Sequence, residues 1–289
     1  MSALDALGRW EAADARAAVV GRTGTGSVEV LDVRGDPTLA GRWASLTKLV
    51  TALAVLVAVE EGVVALDEPA GPPGSTVAHL LAHTSGLAFD EDRVFDQPGQ
   101  QRIYSNRGFE VLGALVGERA DMPFAHYLSE GVLAPLGMAS TRMEGSPAKG
   151  LVGTLDDLVC LARELLEPTV VSRVTLDAAT RVAFPGIGGV LPGFGRQHPL
   201  DWGLGFEIRA AKSPHWTGGH NSPATFGHFG ASGSFLWVDP EANLACAVLS
   251  GRDFGPWAKD AWPALSDAVV TEHRGGRDEG PAPGGAGPS

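Results

Sequence analysis

The sequence has 289 residues, 44% hydrophobic and 19% charged, enough chain to bury about 75% of its unfolded surface and too apolar for a disordered or fibrous protein. Its 22 basic and 34 acidic residues give a formal charge of −12. No Lys/Arg cluster interrupts that balance, which argues against nucleic acid or an anionic membrane as partner and for a small ligand.

The first residues, Met1 to Glu11, carry acidic side chains and no uninterrupted apolar stretch, so no secretory leader is read there and a cytoplasmic enzyme or a processed chain is expected. Ala17–Arg22 and Gly26–Val33 are β-rich runs around Thr23-Gly-Thr-Gly26, a hairpin pattern. A helix is expected over 46–61, with Ser45 as N-cap and Gly62 as stop. Its apolar run, Leu49 to Val59, is too short for a membrane span and reads as a buried helix. A Pro/Gly loop from Leu66 to Gly74 leads to a short helix at 76–82, and helices follow at 106–120 and 123–133. Another helix is expected at 154–166, little regular structure over 185–223, and a hairpin of strands 232–238 and 244–249 around Asp239-Pro-Glu-Ala-Asn243. Residues 275–289 are too poor in apolar side chains to order and read as a disordered tail. Strands stand at both ends with helices between, and no internal repeat is present. The two cysteines, Cys160 and Cys246, permit at most one disulfide, form no C-x-x-C motif, and read as apolar fillers.

Lysine accounts for four of the 22 basic residues, and Lys48 falls in the first turn of the apolar helix. Ser45 and Lys48 are spaced i, i+3, on one helical face. Burial against an apolar core depresses an ammonium pKa, so such a lysine can accept the proton of a neighbouring hydroxyl. The unpaired N–H groups of a helix start favour a developing oxyanion. Serine with a lysine base is thus a candidate nucleophile; the plainer alternative is a cap and a snorkelling lysine. Ser146-Pro-Ala-Lys149 has the same spacing but lies in a loop between Gly145 and Gly150, with no helix to hold register.

Two further segments complete an ordered set: Tyr104-Ser105-Asn106 before a helix, and His228-Phe-Gly230 before the C-terminal hairpin. The order Ser-x-x-Lys, Tyr-x-Asn, His-x-Gly resembles the penicillin-recognising serine hydrolase family of serine β-lactamases, D-Ala-D-Ala carboxypeptidases and related esterases. Leu80-Leu-Ala-His-Thr-Ser-Gly-Leu87, Pro135-Leu-Gly-Met138 and Trp202-Gly-Leu-Gly-Phe206 also resemble family signatures, and the likeness runs from about Arg42 to Leu249. It implies an α/β (α+β) fold: an antiparallel β-sheet flanked by helices with a mostly helical inserted subdomain, as in β-lactamases and transpeptidases. One catalytic domain would cover 1–274, its α/β part formed by about 1–66 and 151–274 and its helical insertion by about 67–150. The resemblance makes Ser45 the acylated nucleophile, Lys48 its base or electrostatic partner, and Tyr104 a second base whose phenolate Lys48 would stabilise. Asn106 would orient Lys48 and the substrate carbonyl, or cap its helix, or both. The backbone N–H groups of Ser45 and Ala231 would form the oxyanion hole, with Gly230 allowing close backbone approach.

His228 stands where many relatives of this kind carry lysine. A histidine is mostly neutral at pH 7, so discrimination for anionic lactams or peptide carboxylates should weaken, and hydrolysis or transfer of a small ester or amide is the favoured expectation. D-alanyl-D-alanine carboxypeptidase, true β-lactamase and a catalytically silent binding protein on the same fold are the alternatives. His83 reads as structural. His215, His220 and His228 fit no compact zinc spacing, so neither metal nor cofactor is expected, and the substrate is a small ester, amide or lactam. The aromatics Phe184, Phe194, Trp202, Phe206, Trp216 and Phe226 either line an acyl pocket or pack the core. An α/β-hydrolase is excluded because Gly230-Ala-Ser-Gly-Ser234 fails the Gly-x-Ser-x-Gly elbow at its last position.

Overall fold

In the computed structural model, which describes residues 2–12 and 14–275, the chain opens with a 3-10 turn at Ala3–Arg9. Strands β1 (Arg16–Arg22) and β2 (Val28–Arg34) form the expected hairpin, and β3 is Gly41–Arg42. A 3-10 turn at Ala44–Leu46 runs into α1 (Thr47–Glu60), followed by α2 (Val77–Leu81), α3 (Asn106–Arg119) and α4 (Phe124–Leu128), the last continued by a π-type turn to Leu133. Then come β4 (Arg142–Met143), β5 (Leu151–Gly153), α5 (Leu155–Leu166) and α6 (Arg173–Ala179). The final part holds β6 (Gly189–Leu191), β7 (Gly195–Gln197), β8 (Glu207–Ile208), β9 (Phe226–Phe229), β10 (Phe235–Asp239), β11 (Leu244–Leu249) and α7 (Pro256–Gly275).

The main sheet is antiparallel and six-stranded, in the order β2-β1-β11-β10-β9-β8, so the two ends of the chain meet at β1 and β11. Strand β11 shows why both of its faces need cover. Leu244, Cys246 and Val248 pack on one side and Ala245, Ala247 and Leu249 on the other, six buried residues in alternation. The first side faces α7 and the N-terminal turn together with Trp237 and Trp262; the second faces α1 and α5. Helix α1 is buried from Thr47 to Ala58, apolar around its whole circumference, as a helix between a sheet and a helical subdomain must be. The inserted region carries α2, α3 and α4 and ends with β4, which joins β5 and β3 in a small sheet of order β3-β5-β4. The mixed α/β fold with an antiparallel sheet and a largely helical insertion is thus the expected one.

Several boundaries differ from the sequence-based reading. Ser45 does not cap α1. It sits inside a 3-10 turn whose N-cap is Trp43, with no side-chain cap bond, and Ala44 before it has φ +47°, a left-handed conformation unusual for a residue with a Cβ. Ser105, not Asn106, caps α3, its Oγ accepting the Gly108 N–H at 3.0 Å. Strand β10 starts at Phe235 because Gly233, at φ +74°, turns the chain at 232–234. Helix α7, which holds Pro263, had no counterpart in the expected elements; an interior proline breaks the pattern by which helices are read. It extends through Gly275, so the expected tail cannot begin there, and the remainder of that tail, 276–289, lies outside the described residues.

The segment 202–206 presses directly on α1. Gly205 has φ +94°, donates its N–H to Leu81 O at 3.1 Å, and a Cβ there would stand 2.2 Å from the Ala52 Cβ. Gly205→Ala is therefore expected to destabilise the protein by about 2 kcal/mol or more, lowering the thermal midpoint by several degrees; an unchanged melting curve would contradict this close approach.

Candidate active site

Three chain segments far apart in sequence converge at the start of α1. The Lys48 side chain is fully buried; its Nζ donates to Asn106 Oδ1 at 2.6 Å and to Ala148 O at 2.9 Å, and lies 3.4 Å from Ser45 Oγ. None of these acceptors is a carboxylate. Burial drives the Lys48 pKa well below the ordinary lysine value, Lys149 pushes it further down, and Asp90 and Glu110 oppose the shift. An unprotonated amine has two N–H donors, which Asn106 and Ala148 occupy, and one lone pair, which is left for Ser45.

Tyr104 shares a hydrogen bond with Ser45, and its ring centroid lies 4.7 Å from Lys48 Nζ. Burial raises the phenol pKa more than the Ser45 bond lowers it. Burial therefore favours the neutral phenol over the phenolate expected from the resemblance, and it likewise disfavours the charged Lys48 that would stabilise a phenolate. The segment bearing Tyr104 is strapped to His83. The Ser105 N–H donates to His83 Nδ1 at 3.1 Å, the Ile103 N–H donates to His83 O at 2.8 Å, and the His83 ring lies 4.6 Å from that of Tyr104. Asn106, the first residue of α3, holds both of its amide atoms in use, Oδ1 toward Lys48 and Nδ2 donating to Asp90 Oδ1 at 2.8 Å.

His228 is placed by strand register. Its partner Leu236 belongs to the core on the α1 side, so His228 faces α1, while Phe229, opposite Phe235, faces α7. Burial, aided by Lys48, pulls the His228 pKa down to about 3, leaving the ring neutral, and its Nδ1 bonds Phe229 O at 2.6 Å. Its ring lies 5.6 Å from Tyr104. Gly230 allows the close approach inferred for it: a Cβ would stand 2.6 Å from Trp43 O, immediately before the serine turn. That contact brings Ala231 beside Ser45. The Ala231 N–H donates to no group among the described residues, while its carbonyl accepts the Phe254 N–H at 2.9 Å. The first N–H groups of the serine turn lack helical partners, as at any helix start. The half-buried Ser45 opens on a cavity of about 170 Å³ shared with Tyr104, Trp202, His228 and Ala231. A larger groove, about 440 Å³, runs between α5, α6 and the sheet edge beside Arg22 and Pro240, and holds no such pair of nucleophile and base.

The structure thus gathers Ser45, Lys48, Tyr104, Asn106, His228, Gly230 and Ala231 in one place. Other residues went unnoticed in the sequence. The Ser146–Lys149 repeat is no second nucleophile: Ser146 donates to Glu110 at 2.9 Å and Lys149 to Asp90 at 3.3 Å, and the loop delivers the Ala148 carbonyl to Lys48. Glu207 also lines the cavity, bonded by Trp216 Nε1 at 2.9 Å, His215 Nε2 at 3.0 Å and Lys212 Nζ. Burial alone would raise the Glu207 pKa, but His215 and Lys212 outweigh it and bring it down to about 2. No pattern marks these roles, since a backbone carbonyl or a single glutamate carries no spacing signal. Of the six aromatics considered for a pocket, only Trp202 lines this cavity. Phe206 and Phe226 pack against each other in the α1-side core, Phe194 and Trp216 belong to the α7-side core, and Phe184 stacks on His79. His215, His220 and His228 belong to separate networks, and both cysteines are free.

A family model described as Beta-lactamase matches residues 14–270. A solved structure of a beta-lactamase (Mb2281c) from Mycobacterium bovis is 54% identical, with a TM-score of 0.91 covering 94% of this chain and 100% of that one. Penicillin-binding protein 4* of Bacillus subtilis (strain 168) is 28% identical over 133 residues, 35% of this chain and 30% of that protein. The D-alanyl-D-alanine-carboxypeptidase/endopeptidase AmpH of Escherichia coli (strain K12) is 27% identical over 143 residues, 37% of each. The matches span about a third of the length of these two curated relatives. With the hydroxyl of Ser45, the amine of Lys48 and the phenol of Tyr104 gathered on the corresponding fold, the chain belongs to the Beta-lactamase family of serine hydrolases.

Proposed function

We propose that the protein forms an acyl-enzyme on Ser45 and hydrolyses, or passes to another nucleophile, the acyl group of a small ester or amide. The observation that carries this reading is the placement of one hydroxyl between a phenol and a buried amine that has no carboxylate partner among the described residues, at the mouth of a cavity. Lys48 Nζ takes the Ser45 proton as Oγ attacks the substrate carbonyl carbon. The resulting oxyanion is held by the N–H groups of Ser45 and Ala231. Tyr104 gives its phenolic proton to the leaving oxygen or nitrogen as that bond breaks, and Lys48 then returns the serine proton to Tyr104. Water attacks the acyl carbon by the same route in reverse, its proton reaching Ser45 Oγ as the acid departs, so the enzyme ends as it began. No cofactor takes part in this sequence.

The cavity of about 170 Å³ has room for about six water-sized groups, which suits a short acyl or alkoxy chain. His228 is neutral and the Glu207 charge is met by Lys212 and His215, so the pocket offers no unpaired cation to a substrate carboxylate. This supports an uncharged group in the inner cavity over an anionic lactam or a peptide C-terminus. Carboxypeptidase activity is the second reading, favoured by the name of AmpH. A silent binding protein would have no need to keep Ser45, Lys48 and Tyr104 together.

Incubation with p-nitrophenyl butyrate followed by mass spectrometry should show one acyl adduct on Ser45. Ser45→Ala should lower turnover by roughly 10³-fold or more with little change in melting temperature; retained turnover would refute the assignment. Chromogenic cephalosporin and D-amino-acid amides, run in parallel, should be poorer substrates than the ester. In the pH profile, kcat/KM should rise as Lys48 loses its proton, with the limb well below the ordinary lysine value, because the unprotonated amine is the base. No inflection from His228 should appear between pH 5 and 8, since its pKa is about 3. A limb near 10.4, where an unperturbed lysine titrates, would contradict the role given to Lys48.

A further inference from the structure

The β6–β7 hairpin docks on the chain leading into Tyr104: the Arg102 N–H donates to Gly188 O at 3.0 Å, and Arg102 bridges Gly189. Within the hairpin Val190 lies directly opposite Arg196, so both side chains share one face, and alternation turns Leu191 to the other. Leu191 is fully buried and lines the inner cavity, whereas Val190 and Arg196 line a separate cleft of about 340 Å³. The two spaces share Phe89, Tyr104 and Pro192, and so meet at the phenol.

The outer cleft is lined by the apolar Phe89, Ile103, Val190 and Pro192, together with Gln101 and two arginines. Of its two arginines, Arg102 is buried and committed to the carbonyls of Leu200, Ala82, Ala183 and Phe184. Arg196 is exposed, and its guanidinium has no ion-pair or hydrogen-bond partner among the described residues. In a chain of charge −12, a free guanidinium in a cleft that Tyr104 also lines stands out as a local anion contact.

The geometry points to the outer cleft as the subsite for the half of the substrate that lies outside the inner cavity, with Arg196 on its wall meeting an oxyanion, above all a carboxylate. This rests on the acyl-enzyme reading. An ester extends in two directions from its carbonyl; with that carbonyl at Ser45 and one half in the inner cavity, the other half passes Tyr104 into the cleft. Its carbon skeleton lies on Phe89 and Val190, and the planar fork of Arg196 matches a carboxylate in a bidentate manner.

The test compares kcat/KM for p-cresyl acetate, for 4-acetoxyphenylacetate, which carries the carboxylate on the alcohol half, and for mono-p-cresyl glutarate, which carries it on the acyl half. One of the two carboxylated esters should be preferred over p-cresyl acetate by about fivefold, the scale of an exposed ion pair, and which one it is assigns the half. The preference should fall to about unity in Arg196→Gln and invert in Arg196→Glu. Equal treatment of all three esters by the wild type, or a preference that survives Arg196→Gln, would overturn the subsite. Absence of Ser45-dependent turnover of any ester would instead sink the acyl-enzyme reading. Calorimetric affinity for 4-hydroxyphenylacetate and for glutarate then decides the subsite: Arg196→Gln should weaken one of them about fivefold, and no change for either overturns it.

Discussion

An amine buried without a carboxylate is the constraint around which the rest of this molecule is arranged. Lys48 sits on a helix that is apolar on every side, and its side chain is fully buried. Burying a charge there costs far more than burying a neutral amine whose N–H groups are satisfied. The fold resolves this by supplying two neutral acceptors, Asn106 Oδ1 and Ala148 O, and by keeping the acidic groups Asp90 and Glu110 at one remove. A carboxylate in direct contact would have been the cheaper solution for stability, and it would have left Lys48 permanently charged and useless as a base. Local destabilisation is thus retained where the proposed chemistry needs it, and the surrounding sheet and helices hold it in place.

That arrangement needs three segments to converge, which the topology provides. Pairing of β1 with β11 brings the two ends of the chain into one sheet, and β9 then carries His228 toward the α1 face. The insertion packs α3 against α1, delivering Tyr104 and Asn106 from its leading edge. Glycines fix the two tightest approaches, Gly230 against the Trp43 carbonyl and Gly205 against Ala52. His83 ties the Tyr104 segment through both its ring and its carbonyl, which gives a physical basis to a histidine in the 80–87 signature that hydrogen-bonds to neither Ser45 nor Lys48.

The sequence made some of this readable and hid the rest for identifiable reasons. Helices α1 and α5 were legible because an apolar segment meets a stop or cap residue, Gly62 after α1 and Thr154 before α5, whereas the true cap of α3, Ser105, was passed over for Asn106. Strand β11 was legible as an apolar run, though its two-sided burial was not. The seven residues gathered at the start of α1 could be named because six fall in short motifs and Ala231 directly follows one. Ala148, Asp90 and Glu207 could not, since they act through a backbone carbonyl, through a second bond, or from an irregular Gly/Pro stretch. The role of Ser45 as a helix cap was misread for a related reason: the residue type suits a cap, but a 3-10 turn held by the Trp43 backbone frees its hydroxyl for Lys48 and Tyr104.

The state of the Lys48 amine decides whether this account stands. With only four lysines in the chain, an NMR titration of enzyme carrying lysine labelled with carbon-13 at Cε can follow each one, with Lys48 assigned by comparison with a Lys48→Met variant. The account predicts that the Lys48 signal titrates well below the ordinary range near 10.4. A Lys48 that stays protonated up to that range would mean that the amine is a fixed charge in the resting enzyme, and the assignment of Lys48 as the base would fall.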